Sequence, residues 1–582
     1  MKVLAIALDF DGTIAKDDKL DDHVREAIAK VREQNIFVII VTGRILAELR
    51  AVAGDLHFVD AVVGENGAVL EFTDSGYSKV LGSPPPPELL EALRLDGVPL
   101  KVGQSVVETD TQYAPQVLAI LQRLELPLVL LFNKGRVMIL GQAISKATGL
   151  REALKISRFS AHNTIGIGDA ENDHELLQAC EIGIAVEWGS AALKARADYV
   201  LLGTGPSAVG DYILAAAQND GLLFPRRTRR NLFLGYTDLG APFSLAVRGR
   251  NVLITGDTKS GKSWITGLLC EQLILYGYSL LIVDPEGDYT SLEALPGVMV
   301  FGGADPLPRP RDLLRALRHA DVSIVVDLSR IPLDEKIEYV RNLLVGTTML
   351  RRHTGLPHRI IIDEAHYFLN DGTTEGSVRL DLDSYTLATY RVCDLDRAIV
   401  TAAEAILVTR ESSLAEITEL RSLCASCAGP TDTDSWVKML GDLVVGEAVA
   451  LPLTEEAGGN AVRIHLAPRL TPHVRHVSKY LDIPVSERDQ FVFWKGGTIT
   501  SDRARTLRQF VTILERWSDP DLRGHLQRGD FSRWIANVFG DYPLSKTAQM
   551  IESNYCSGKL NDPGRSLIEA IVSRYEFVDP LA

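Results

Sequence analysis

Cysteine is scarce in this chain: six among 582 residues, too few for a disulfide framework. Cys424 and Cys427 form the one close pair. With no second pair they read as packed thiols rather than zinc ligands. Long apolar runs are also missing. No stretch reaches the roughly 18 residues of a membrane helix. The start, MKVLAIALDFDGT, lacks the basic leader, apolar stretch and small-residue cleavage site of a signal peptide. The expectation is a soluble, cytoplasmic protein with no membrane partner. Excess basic charge is absent too. Lys and Arg number 61 against 76 Asp and Glu, a net charge of −15, which excludes a general affinity for nucleic acid but leaves a local basic channel open. There is no internal repeat and no long low-complexity tract.

What remains is ordinary globular composition, 46% hydrophobic and 24% charged, which argues against wholesale disorder. The length calls for about three or four domains at roughly 150 residues each. Residues 1–80 alternate apolar runs with amphipathic helices: VLAIALDF as a buried strand, DDHVREAIAKVREQ as a helix, IFVIIVTGR as the next strand. That rhythm means a parallel sheet with helices on both faces. Pro84–Pro87 is a stiff stretch opening an insert over 81–140. The α/β pattern resumes over 141–221. PRRTRRN (225–231) is a basic cluster in a linker and lead-in, 222–250. A second α/β unit, 251–480, begins at NVLIT and continues through LLIVD, VMVF, SIVVDL, RIIID and AILVT. From 481 to 582 the pattern is mainly helical, with RTLRQFVTILERW the clearest amphipathic helix.

The first strand ends in Asp9-Phe10-Asp11-Gly12-Thr13. Carboxylates at i and i+2 face the same side of a strand. Past a parallel strand's carboxyl end both reach a ligand in the crevice. Such a pair repels itself and calls for a cation or a shared proton. Three later stations join it: Thr42-Gly43-Arg44 at a strand tip, Lys146 opening a helix, and Gly168-Asp169-Ala170-Glu171-Asn172-Asp173 after the strand TIGIG. This order resembles the haloacid-dehalogenase (HAD) superfamily of phosphohydrolases over about residues 1–220. GENGAVL (64–70) and the size of the insert are similar to the Cof-like branch with a type 2 cap, which includes sugar-phosphate and phosphoglycolate phosphatases.

The resemblance implies that Asp9 is the nucleophile. It makes Asp11 the acid that protonates the leaving oxygen and then activates water. Thr42 and Lys146 hold the phosphoryl oxygens. Asp169, with Asp9 and the backbone carbonyl of Asp11, holds Mg2+. Asp173 is a second metal-side carboxylate or an orienter of Lys146, and Asn172 bonds a phosphate oxygen. His162, just before the fourth station, reads as a packed or solvent-edge histidine.

Gly256-Asp257-Thr258-Lys259-Ser260-Gly261-Lys262-Ser263 fits GxxxxGK[ST], between a strand and an apolar helix, the context that a P-loop requires. Gly256 and Gly261 let backbone N–H groups wrap phosphates. Lys262 serves the β- and γ-phosphates, and Ser263 serves Mg2+. Asp363 ends an apolar strand within reach of that metal through water, and Glu364 beside it can polarise an attacking water. With LLIVDPEGDY (280–289), these motifs resemble the HerA/FtsK-like ATPases over about 235–480. In that family the strand after the Walker-B strand often ends in a glutamine sensor. Here the corresponding end is read as Ala405–Thr409, with Thr409 or Arg410 as substitute. Arg391, Arg397 and Arg410 are arginine-finger candidates. His366 reads as packed.

Together these readings predict a Rossmann-like HAD core with an inserted cap, then a RecA-like P-loop α/β domain and a mainly helical C-terminal region. The expected function is a Mg2+-dependent phosphatase acting on a small phosphorylated metabolite, joined to a unit that binds and hydrolyses ATP and, like its relatives, can assemble as a homo-oligomeric ring. Three alternatives stand beside it: an end-processing enzyme like the polynucleotide kinase-phosphatases, a P-loop that senses nucleotide and switches the phosphatase, or a DNA motor carrying a phosphatase head. PHVRHVSKY (472–480) is a weak phosphate or nucleic-acid contact, and GDFSRWI (529–535) a capped helix start with aromatic anchors in a core.

Overall fold

The computed structural model describes residues 1–133, 135–218, 221, 230–247, 251–370, 378–379, 384–424, 432–451, 461–471, 484–485, 487–539 and 542–574. Cys427, PHVRHVSKY and most of PRRTRRN lie outside them.

The first strand, Ala5–Leu8, is buried at all four positions, as expected of a central strand covered on both faces. It pairs in parallel with Phe37–Val41 on one side and Thr164–Gly168 on the other. Leu8 stands level with Ile40 and Ile167. The residues that follow these strands therefore emerge at one edge: Asp9, Thr42 and Asp169. The sheet has eight strands, extended by Ile182–Val186 and Tyr199–Leu201 on one flank and by Ala61–Gly64, Val69–Phe72 and Ser78–Val80 on the other. Helix Asp22–Glu33 shows how the faces are covered. Asp21 caps it by accepting from the N–H of Val24 at 3.1 Å, and Val24, Ala27, Ile28 and Val31 are buried, the i, i+3, i+4, i+7 stripe of a core-facing helix.

The insert forms a separate layer of four antiparallel strands in the order Leu128–Asn133, Arg136–Gly141, Val107–Asp110, Lys101–Val102. Helices Pro87–Leu95 and Ala114–Arg123 pack on it through Leu89, Leu93, Val117 and Ile120. A small apolar joint of Val106, Met138, Leu140, Ile45 and Ile144 connects this cap to the core beside the strand tips.

The second unit is an eleven-stranded sheet. Its parallel part runs Ala405–Val408, Val252–Thr255, Tyr385–Thr389, Arg359–Ile362, Leu280–Asp284, Ser323–Asp327, Val298–Gly302. Antiparallel strands Glu447–Leu451, Val462–Leu466, Asn231–Thr237 and Pro242–Ala246 extend one side. One strand differs from the sequence reading. The strand after Arg359–Ile362 is Tyr385–Thr389, inserted between it and the P-loop strand. It ends in Thr389, so Ala405–Thr409 is not the sensor strand; it lies on the opposite flank of the P-loop. YTLAT has only five residues, three of them hydroxylic, and no long apolar run announces it.

The last unit is not helical throughout. It opens with an antiparallel hairpin, Phe491–Lys495 with Thr498–Ala504. Helices Leu507–Leu514, Asp519–Arg528, Tyr542–Cys556 and Pro563–Arg574 follow. Phe493, Phe510 and Phe531 are fully buried in its core, with Trp534 nearly so. The aromatic anchors of GDFSRWI thus pack inside. Among the described residues, no helix is long and apolar enough to cross a membrane.

Candidate functional sites

Lys146 sits at the start of helix Lys146–Ser157, where Ser145 and Thr148 cap each other reciprocally. Two glycines let this helix approach the sheet. A Cβ on Gly67 would lie 1.9 Å from the carbonyl oxygen of Ser145, and one on Gly149 would lie 2.5 Å from Val63 Cγ1. That approach buries the Lys146 side chain to 1% exposure. Its ammonium donates to Asp9 Oδ1 at 2.5 Å and to Asp173 Oδ1 at 2.6 Å. Asp173 is itself held, accepting at Oδ2 from the N–H groups of Asp169 and Ala170, both at 3.0 Å. Thr13 donates to Asp9 Oδ2 at 3.1 Å.

Carboxylate oxygens of Asp9, Asp169 and Asp173 lie within 4.8 Å of one another, all buried. Burial, then the charge of Asp173, then that of Asp169, pushes the Asp9 carboxyl well above the usual carboxylate range, with Lys146 opposing. Burial works against the Lys146 ammonium, yet Asp173 and Asp9 raise it above the ordinary lysine range. Three hard oxygen donors around one lysine are a set that fits a hard divalent cation such as Mg2+.

Asp11 stands apart from that cluster. Arg44 grips it in bidentate fashion, Nε to Oδ2 at 2.8 Å and Nη2 to Oδ1 at 2.6 Å, and also bonds Asp18. Thr42 is buried at the neighbouring strand tip, its Oγ1 accepting from the N–H of Arg44 at 3.1 Å. Asn172 reaches Asn66 at 3.5 Å.

Sequence reasoning missed one residue here. Glu65, in the left-handed region at φ 51°, accepts three backbone N–H groups of the cap: Gln104 at 2.9 Å, Ser105 at 2.8 Å and Val106 at 3.2 Å. It pins the cap to the core. The segment GENGAVL was visible, but nothing local tells which loop Glu65 would meet.

In the second unit the strand ends Thr255, Thr389 and Val408 are level, so Gly256 and Thr409 emerge side by side. Gly256 has φ 142°, and a Cβ there would lie 2.1 Å from Thr409 Oγ1. Gly261, at φ 113°, turns the chain into helix Lys262–Leu275. Lys262 donates to the carbonyls of Gly256 at 3.0 Å and Asp257 at 2.9 Å. Ser263 donates to Asp288 Oδ2 at 2.8 Å, a partner that the sequence did not single out. DPEGDY is built around Asp284, which accepts from the N–H groups of Gly287, Asp288 and Tyr289 at 2.7, 3.0 and 2.9 Å. Burial and then Asp288 push its carboxyl well up. Asp363 and Glu364 are buried, Glu364 at φ 46°, a strained setting that clusters at functional sites. His366 is buried, 3.0 Å from Thr389 Oγ1 and 3.7 Å from Glu364, and burial lowers its pKa.

Of the arginine-finger candidates, Arg410 lies 3.4 Å from Asp257 in the P-loop. Arg391 stacks over Tyr390 and pairs with Asp394, while Arg397 pairs with Glu419 and is largely exposed. Another cation was not anticipated: Arg488, from the lead-in to the C-terminal unit, lies 3.6 Å from Asp257. Lys259 rests 4.9 Å over the ring of Phe539. The C-terminal unit therefore borders the mouth of the P-loop.

The fold and the four stations define an α/β phosphohydrolase with a cap, followed by a P-loop unit. The family of haloacid dehalogenase-like hydrolases matches residues 6–93 and 98–213, and the HerA helicase central domain matches residues 237–348. The chain is 30% identical over 239 residues to the phosphoglycolate phosphatase of Archaeoglobus fulgidus, covering 99% of that protein and 38% of this chain. It is 28% identical over 214 residues to the phosphoglycolate phosphatase of Methanosarcina acetivorans, covering 90% of that protein and 34% of this chain. A third relative is the 5-amino-6-(5-phospho-D-ribitylamino)uracil phosphatase YcsE of Bacillus subtilis, at 24% identity over 223 residues, 88% of that protein and 34% of this chain. The chain belongs, through its N-terminal part, to the haloacid dehalogenase-like hydrolases, and that part is a phosphatase joined to a HerA-like domain.

Proposed function

We propose that the N-terminal unit hydrolyses a small phosphomonoester, of the phosphoglycolate or sugar-phosphate type, through an aspartyl-phosphate on Asp9, and that the P-loop unit hydrolyses ATP. The observation that carries the first half is the buried group of Asp9, Asp169 and Asp173 around Lys146. In the first step an Asp9 oxygen attacks phosphorus and the ester P–O bond breaks. Asp11 gives its proton to the departing oxygen. In the second step Asp11 takes a proton from water, the water oxygen attacks the phosphoaspartate, and Asp9 leaves as carboxylate with release of inorganic phosphate. Lys146 and Thr42 hold the phosphoryl oxygens throughout. Asp9 and Asp169, with the Asp11 carbonyl, would hold Mg2+, which supplies positive charge against the carboxylates and the phosphate. Asp173, bonded to Lys146 and to two backbone N–H groups, acts as its orienter. The phosphatase relatives support a small substrate, since the chain spans nearly their whole length.

In the second unit Gly256, Gly261 and Lys262 cradle the triphosphate. Ser263, held by Asp288, and Asp363 serve the Mg2+ of Mg-ATP. Glu364 polarises the attacking water. An acid beside Asp363 favours water as the acceptor over a nucleic-acid hydroxyl. The HerA likeness supports a ring-shaped homo-oligomer, which light scattering of the eluted protein would test.

The domain division follows the same reading, with one change at the lead-in: phosphatase core 1–80 and 141–221, cap 81–140, P-loop unit 251–480 joined by the lead-in strands Asn231–Thr237 and Pro242–Ala246 of its sheet, and a C-terminal unit beyond. Phosphate release from a panel of phosphorylated metabolites and 3′-phosphorylated DNA, with and without ATP, tests the whole proposal. Asp9→Asn is expected to remove phosphatase turnover alone, and Lys262→Ala ATP turnover alone. Full turnover by Asp9→Asn would overturn the first assignment. Transfer of γ-phosphate to a 5′-hydroxyl oligonucleotide would replace the second with a kinase.

A further inference from the structure

Between the phosphatase unit and the P-loop unit lies a cleft of about 800 Å3. Its charge is unlike that of the chain. Arg151, Lys155 and Arg158 line one wall; their i, i+4, i+7 spacing sets them along one face of a helix and its cap. Arg230, paired with Glu181 at 2.8 Å, enters from the connecting segment and His319 from the P-loop unit. Asp321 is the single carboxylate residue on the lining, in a chain with net charge −15.

Cations in a helix's last turn are common because they offset the helix dipole. That accounts for Lys155, which lies in the last turn. It accounts as well for Arg158, the cap residue, but not for Arg151, further up the helix. Among the described residues, Arg151, Lys155 and Arg158 make no ion pair. Three basic side chains on one wall offer an anion charge-assisted contacts from one side.

We infer that this cleft binds a nucleoside polyphosphate, separately from the P-loop. The phosphates suit the arginines, which form charge-assisted, often bidentate contacts. The half-exposed ring of Tyr276 and the ring of Phe159 offer faces for a base. The volume is that of a small-molecule site, about 300–1,000 Å3; a polymer would need a track leading onward.

The cleft is also placed between the two proposed sites. The helix that begins with Lys146 in the phosphatase site ends at Ser157, beside Arg158. The helix that begins with Lys262 in the P-loop ends at Leu275, beside Tyr276. The cleft therefore lies at the far ends of both helices whose first residues are the phosphate-binding lysines.

The test uses the full chain carrying Lys262→Ala, so that the P-loop does not compete. Calorimetric titration with ATP, ADP and inorganic tripolyphosphate is expected to show one saturable equivalent per chain. Adding Arg151→Glu and Arg158→Glu should weaken it at least ~10-fold through the lost charge-assisted contacts, while the phosphatase rate without nucleotide stays as in the parent. No saturable binding to the Lys262→Ala chain would overturn the inference, as would affinity unchanged by the two reversals. So would an oligonucleotide that binds through the same arginines and is not displaced by ATP. Retained ATP hydrolysis in the Lys262→Ala chain would instead sink the P-loop assignment and leave the cleft result standing.

Discussion

Arg44 holds Asp11 by two hydrogen bonds, 2.8 Å from Nε and 2.6 Å from Nη2. The proposed acid is thus aimed by a guanidinium fork that fixes both of its oxygens. Arg44 is anchored on its other side by Asp18, and Asp18 in turn is held below the usual carboxylate range by that bond.

Arg44→Lys keeps the charge but loses the fork. Misplacing a reacting group by ~1 Å costs about 10²-fold, so kcat is expected to fall between ~10- and ~100-fold with KM less affected. Steady-state kinetics on a generic aryl phosphate reads this out, and an unchanged kcat would remove Arg44 from the positioning of Asp11.

Mg2+ should stabilise the phosphatase unit, because Asp9, Asp169 and Asp173 are buried within 4.8 Å of one another. Ligand binding to the native state alone raises stability by about 2.7 kcal/mol at 100 times Kd. Thermal unfolding with and without Mg2+ is expected to show an upward shift in the wild type and little shift in Asp169→Asn. Equal shifts in both would place the metal elsewhere.

Beside the P-loop, burial pushes the Glu411 carboxyl up to about 7, against the N–H of Ser413, with Asp257 and Glu416 adding repulsion. Its folded value lies above the unfolded one of about 4.3. Between these values the native state binds more protons, so this stabilising contribution is complete below about 4.3 and is lost as pH rises to about 7. Denaturant midpoints compared across that window should fall more steeply with pH for the wild type than for Glu411→Gln. Parallel profiles would show that Glu411 titrates alike in the folded and unfolded states.

The two units share a buried polar knot. Glu181 accepts from Tyr278 Oη at 2.8 Å and Arg230 Nη1 at 2.8 Å, and meets His162 Nδ1 at 2.6 Å. His162 stacks on Tyr278 with ring centroids 3.7 Å apart. Removing one member of a buried charge pair costs about 3–5 kcal/mol. Glu181→Ala is therefore expected to lose that much in urea unfolding and to separate the thermal unfolding of the two units. A loss below ~1 kcal/mol would mean that the knot contributes little.

His162 illustrates the limit of sequence reading. Its local context, FSAHNTIGIG, shows a residue entering a strand, and packing is a fair expectation from that. Its ring is indeed packed, against a tyrosine 116 positions later in the chain, and no local pattern names that partner. The same holds for Asp288 on Ser263 and for Glu65 under the cap. Each is a polar side chain whose partner depends on which segments fold side by side.

The sequence by itself carries the motifs from which the chemistry of both heads is proposed. DFDGT, TGR, Lys146 and GDAEND stand at strand and helix ends, and GDTKSGKS and RIIIDE do likewise, because a parallel sheet delivers ligand-facing residues at its carboxyl edge. Such motifs are local, so they are readable. Tertiary structure alone decided the strand order that puts Tyr385–Thr389 beside the P-loop strand, the bidentate hold of Arg44 on Asp11, and the basic cleft where the two units meet. These arise from distant segments brought together by burial of their apolar faces. Burial sets which neighbours a polar group has, and so where charge accumulates.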